Sequence, residues 1–202
     1  FARFILNCGK EKMMHTAKYM HQILDQSLPA FDELFDEINL DGLVENKGIL
    51  YVWTNKSKKS RDLEIKIRDE LGVKQQLVNP KEIHDLEPNI KPFYDGGVFY
   101  DYARHARNPK KILIKLYENF ISKGGKFLKL NIKDLNFVEN KPVLRSESQR
   151  FNFDKIIIAC GAFSKKLTDQ LHEKIPLDTE RGYHVHFKGY DQLLSRPVIF
   201  LN

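Results

Sequence analysis

Residues 154–164, Asp-Lys-Ile-Ile-Ile-Ala-Cys-Gly-Ala-Phe-Ser, constrain the fold of this chain more than any other stretch. Ile156, Ile157 and Ile158 form an unbroken β-branched run. Such a run predicts a strand covered on both faces, because a half-exposed strand would alternate apolar with polar residues. Ala159, Cys160, Gly161 and Ala162 then follow with little or no side chain. A strand that ends this way lets something large and flat approach the backbone closely. In open α/β sheets, ligands sit at the carboxyl ends of the strands. Ser164 is placed to cap a helix running to about Leu171. An ordinary tight strand-to-helix turn accounts for the same residues without any ligand.

The rest of the chain alternates helical and strand patterns. Met13, Ala17, Met20, Leu24 and Leu28 fall at helical spacing and predict a helix over about 11–27. Ser27 and Pro29 restart the chain, since Pro fits only the first turn. Phe31, Leu34, Phe35 and Ile38 give a second amphipathic stripe, and both stripes read as core. Residues 48–54 read as a strand, 60–71 as a helix ended by Gly72, and 76–78 as a short strand. Asn79-Pro80 opens a short helix that Pro88 terminates, and 97–100 reads as a strand. Asn108 caps the next helix, with Pro109 at its first position and Ile112, Leu113, Leu116, Tyr117 and Phe120 as its buried face. Strands are predicted at 126–130, 133–139, 143–145, 151–159, 182–187 and 197–201. This order gives an α+β class, a mixed sheet with helices on it.

Bulk properties narrow the function. The 202 residues, 42% hydrophobic, allow one sizeable domain or one domain plus part of another. No apolar run reaches the length of a membrane-spanning helix, and no signal-peptide pattern opens the chain. Cys8 and Cys160 lie far apart, which predicts two free thiols in a reducing compartment. No Cys/His cluster has metal-ligand spacing. A net charge of +6 raises nucleic-acid binding as a rival, but the charge is scattered. The densest run, Lys56 to Arg61, is balanced by Asp62, Glu64, Asp69 and Glu70 and reads as a loop and a solvated helix face. Arg104-His105-Ala106-Arg107 reads as a solvated linker.

Residues 157–164, Ile-Ile-Ala-Cys-Gly-Ala-Phe-Ser, together with 176–184, Pro-Leu-Asp-Thr-Glu-Arg-Gly-Tyr-His, resemble the FAD-dependent D-amino-acid oxidase and dehydrogenase superfamily. They look most like its bacterial D-amino-acid dehydrogenase branch. Leu86-Glu87-Pro88-Asn89-Ile90, Gly96-Gly97-Val98-Phe99, Asn108-Pro109, Gly124-Gly125 and Asn131-Ile132-Lys133-Asp134-Leu135 fit the same pattern in order. The family's opening Gly-x-Gly-x-x-Gly turn, which holds the FAD pyrophosphate, is missing from these residues. The resemblance therefore implies an internal piece of a larger flavoenzyme, inactive and without FAD on its own.

It further implies that 1–103 and 175–202 belong to a substrate-binding domain and 104–174 to part of a Rossmann-like FAD domain. Ala159, Cys160, Gly161 and Ala162 match the turn where backbone approaches the FAD pyrophosphate and ribose, and Ile132 a position facing the adenine. Tyr183 and His184 are the candidates to line the substrate pocket; no catalytic side chain is assigned. The implied reaction oxidises the C–N bond of a D-amino acid by hydride transfer to flavin. Glycine, sarcosine or a 2-hydroxy acid as substrate, or a non-catalytic binding domain, are the alternatives. The expected setting is cytoplasmic, or peripheral to the inner membrane if the acceptor is a quinone. Self-association through surfaces covered in the parent is also expected.

Overall fold

Helix α1 (Lys10–Leu24) and helix α2 (Ser27–Glu37) open the described chain, with Pro29 in the first turn of α2. The computed structural model describes residues 9–54, 58–189 and 193–201. Cys8 and the loop reading of 55–57 lie outside them. Strands β1 (Val44–Glu45) and β2 (Ile49–Trp53) lead to helix α3 (Lys58–Glu70). Strand β3 (Gln76–Val78), helix α4 (Pro80–Leu86) and strand β4 (Gly96–Tyr100) follow. Asn79 and Glu82 form a reciprocal capping box at the start of α4, which satisfies two N–H groups the helix cannot. Strand β5 (His105–Ala106) precedes helix α5 (Pro109–Ser122), capped by the Asn108 side chain.

Two compact units result. One runs to Gly125 and resumes at Lys188; the other is Lys126–Phe187. The first is built on a four-stranded sheet in the order β3-β4-β2-β9, where β9 is Val198–Leu201. β4 is antiparallel to β2 and β3, while β9 runs parallel to β2 from Leu50 opposite Val198 to Trp53 opposite Leu201. The period of two in β2 sorts its side chains. Leu50 and Val52 pack with Val78, Ile83 and Tyr94. Tyr51 and Trp53 face the other way, with Val98, Tyr100, Ile65 and Val73. So α4 covers one face and α3 the other. Ile83 can press on the sheet because Gly97 has no side chain: a β-carbon there would lie 2.5 Å from the Tyr51 carbonyl oxygen and 3.2 Å from Ile83.

The sequence reading of 104–107 as a solvated linker is corrected. β5 pairs with β1, and Arg107 N–H donates to the Leu43 carbonyl. Arg104 pairs with Asp32, and Arg107, Lys47 and His105 surround the Glu45 carboxylate at 3.0, 3.1 and 3.6 Å. Two carboxylates hold this segment against the unit.

The helical stripes read as core are also corrected, except at Ile38, which caps α2 and is buried. No residue of α1, α2 or α5 is buried. Met13, Ala17, Met20, Leu24 and Leu28 instead line an open cleft of about 1140 Å³ facing α3. Leu113, Tyr117 and Phe120 are exposed on α5. An amphipathic period names the face a helix would bury, but not whether a packing surface lies within reach.

The second unit is a meander of β6 (Asp134–Val138), β7 (Lys141–Arg145) and β8 (Arg150–Asn152), paired antiparallel in that order. Glu139 and Asn140 both take positive φ, as a tight two-residue hairpin turn requires. Leu135 and Val143 are buried beneath it. Beyond β8 the expected strand over 151–159 stops at Asn152. Ile156, Ile157 and Ile158 join no ladder among the described residues, and Ile157 is 89% exposed. Residues 126–130 and 182–187 likewise form no strand. A continuously apolar strand needs hydrogen-bonding neighbours and cover on both faces, and the described residues supply neither. Among the described residues, no helix is long and apolar enough to cross a membrane.

Candidate functional site

All seven residues singled out as cofactor or substrate candidates fall in the second unit. Gly161–Phe163 form a single 3-10 turn, helix α6 (Ser164–Thr168) follows, and a second 3-10 turn closes at Leu171. Ser164 was expected to cap this helix. It is instead the first helical residue, and its hydroxyl accepts the Cys160 N–H at 3.1 Å. The bond closes the turn from inside, so Ser164 serves the residues before the helix.

Gly161 takes φ +54°, the left-handed region that side-chain-bearing residues rarely adopt. Nothing lies within 4 Å of where its β-carbon would stand. Ala159, Cys160 and Ala162 beside it are exposed, and Cys160 is a free thiol. The turn therefore offers open backbone with almost no side-chain screen.

Ile132 lies one residue before a contact that sequence reasoning missed. The Gln170 amide donates from Nε2 to the Lys133 carbonyl at 3.0 Å, and its Oε1 accepts the Leu135 N–H at 2.8 Å. One side chain thus pairs with β6 as a neighbouring strand would. It ties the half-buried Ile132 segment to the helical stretch that begins at Gly161. No local pattern distinguishes this glutamine from a solvated one, because its partners lie 35 and 37 residues upstream.

Tyr183 and His184 follow that turn by some twenty residues in the chain. No hydrogen bond or ring contact among the described residues joins either one to it. The His184 and His186 rings meet edge to face, with centroids 4.7 Å apart, while Tyr183 is 87% exposed. Lys166 places its ammonium 5.7 Å from the Phe163 ring centre. The described residues hold no group of three or more His, Cys, Asp or Glu able to bind a metal. This arrangement can bind and position a ligand through backbone and small side chains.

A family model described as DAO, FAD dependent oxidoreductase, matches residues 9–201. The chain belongs to this family. A D-amino-acid oxidase of Bradyrhizobium diazoefficiens is 29% identical over 171 residues, which are 84% of this chain and 41% of that protein. Glycine oxidase from Geobacillus kaustophilus superposes with a TM-score of 0.64 at 15% identity, covering 96% of this chain and 51% of that one. Glycine oxidase from Bacillus cereus superposes with a TM-score of 0.58 at 20% identity, covering 80% of this chain and 43% of that one. The chain thus spans about half or less of the length of these relatives. Their folds agree with the mixed α/β architecture expected from the sequence, and FAD is the cofactor that defines the family.

Proposed function

We propose that this chain is part of an FAD-dependent oxidoreductase that acts on the C–N bond of D-amino acids, with residues 159–162 in its cofactor site. The family match carries the oxidoreductase reading. The open turn at Gly161 carries the assignment of the cofactor site: a left-handed glycine between Cys160 and Ala162, with free space where a side chain would stand. That cradle fits a large, flat group whose phosphates and ribose come close to backbone.

On this reading, Ala159, Cys160, Gly161 and Ala162 present backbone to the cofactor, and Ile132 contributes main-chain groups beside the adenine. Gln170 holds these two segments together. FAD, when bound, supplies the two-electron acceptor. The chain's own side chains then have binding and positioning to do. Tyr183 donates its phenol hydrogen to the substrate carboxylate while its ring walls the pocket. His184 is the second candidate to line it. On this reading 1–103 and 175–202 belong to the substrate-binding domain and 104–174 to part of the FAD domain, a division by role that does not follow the two compact units, since β5 and α5 lie in the first unit and Tyr183 in the second. The D-configuration rests on the 29% identical relative.

The test uses the full-length protein. It should purify with flavin absorbance and reduce an artificial electron acceptor with D-amino acids. Faster turnover of glycine, sarcosine or a 2-hydroxy acid would shift the substrate class. A protein that folds but retains no flavin after reconstitution would remove the oxidoreductase reading.

A further inference from the structure

A buried carboxylate joins the two separated parts of the first unit. Glu87 follows helix α4 and is 2% exposed. Its oxygens accept the Ser195 N–H at 3.1 and 3.0 Å, the Ser195 hydroxyl, and the Arg196 Nε–H at 3.0 Å. The Arg196 guanidinium lies over the Phe99 ring, 5.1 Å from its centre. These donors are 108 and 109 residues downstream of Glu87. Two residues on from Glu87, the Asn89 side-chain amide donates to the Leu193 carbonyl at 2.8 Å. The Pro197 carbonyl then accepts the Leu50 N–H at 3.0 Å, and β9 runs parallel to β2.

A hairpin sets its own register through its turn. A parallel pair needs a crossover, and here the crossover contains the whole second unit. Nothing local therefore determines how β9 aligns with β2. A one-residue slip would exchange its two faces, moving Val198 and Leu201 off the opposite clusters they join.

We propose that Glu87 is the positioning residue that sets the register of β9 on β2. Any other alignment pulls Ser195 and Arg196 away and leaves a buried carboxylate without donors, which is strongly unfavourable. The charge makes the alignment selective, where apolar contacts alone would tolerate slippage. This goes beyond the functional reading above and does not depend on flavin.

Hydrogen–deuterium exchange on the full-length protein tests it. In Glu87→Gln, the amides of 193–201 and their β2 partners should exchange at least about tenfold faster, as expected for losing charged hydrogen bonds. The β3–β4 ladder and α4 should keep their protection. Ser195→Ala, which removes one donor and keeps the charge, should give the same pattern at smaller size. Equal acceleration across sheet and helix, or none, would overturn the proposal. If Glu87→Gln does not fold, Ser195→Ala decides alone by the same criterion: loosening confined to 193–201 and β2 supports the latch, and any other pattern overturns it.

Discussion

The Ser164 hydroxyl holds the Cys160 N–H at 3.1 Å, directly across the left-handed Gly161. The stretch before it, 155–159, belongs to no sheet among the described residues. The shape of this turn is therefore set by one side chain and one glycine. Both can be changed without touching a buried core.

Removing the hydroxyl should loosen the turn more than the fold. In the full-length protein, Ser164→Ala should cost about 1 kcal/mol, the typical net value of one hydrogen bond. Flavin content per folded protein should fall, and Ser164→Thr should restore it. Unchanged flavin content with a lower Tm would mean that the bond serves folding alone.

Gly161 separates backbone strain from occupied space. Gly161→Val forces a β-branched residue into left-handed backbone, costing roughly 1–2 kcal/mol. Gly161→Asn costs less, because Asn tolerates that region. Both place atoms in the space the cofactor is proposed to approach. Both should therefore lower flavin retention, whereas only Val should lower the urea midpoint clearly. Full flavin content in Gly161→Asn would argue that the turn is structural.

Much of the first unit could be read from sequence, because its elements are short, periodic and well punctuated. Asn79-Pro80 at the start and Pro88 at the end named helix α4, and the run 48–54 named β2. β1 and β5 escaped because two residues carry no period. Ile156 to Ile158 misled for a different reason. Their apolarity states how a strand there should be covered, but not whether the covering strands are present. At the candidate site, small residues marked 159–162 correctly as a turn. The contacts of Gln170 and of Glu87, which the sequence marked only as part of a family-like segment, stayed hidden because a polar residue's partner across 35 or 108 residues leaves no local trace.

Gly97 is a test of packing in the first unit. A β-carbon there meets the Tyr51 carbonyl at 2.5 Å, so backbone must shift. Gly97→Ala should destabilise by about 1–3 kcal/mol, the range for overpacked sites. Gly182→Ala, with nothing within 4 Å, should stay within about 0.5 kcal/mol. Urea melts of the pair measure both, and equal midpoints would contradict the packing.

Acid should weaken the contacts that hold the 104–107 segment. The Arg104 side chain, hydrogen-bonded to Asp32, holds that carboxyl below its ordinary 3.8. Lys47, with Arg107 and His105 adding charge, holds Glu45 below its ordinary 4.5. A depressed carboxyl binds fewer protons folded than unfolded, so its stabilisation is present above the unfolded value. It is lost as pH falls through the folded one. Asp32→Asn should therefore lower Tm at neutral pH and converge on the parent chain below the range where Asp32 titrates. A Tm difference that persists unchanged into strong acid would refute the ion pair as its source.

Tyr183 carries the substrate prediction. Its side chain is 87% exposed, so losing the hydroxyl removes no packing and should leave Tm unchanged. If the phenol meets a substrate carboxylate, Tyr183→Phe in the full-length protein should raise KM for the best D-amino acid. The loss in kcat/KM should be about 1 kcal/mol, roughly fivefold, as for one hydrogen bond. Flavin content should not change. His184→Ala removes the edge contact with His186 and should leave kcat/KM nearly intact. The assignment fails if Tyr183→Phe leaves kcat/KM untouched while His184→Ala abolishes it, because that result gives the pocket to the histidine.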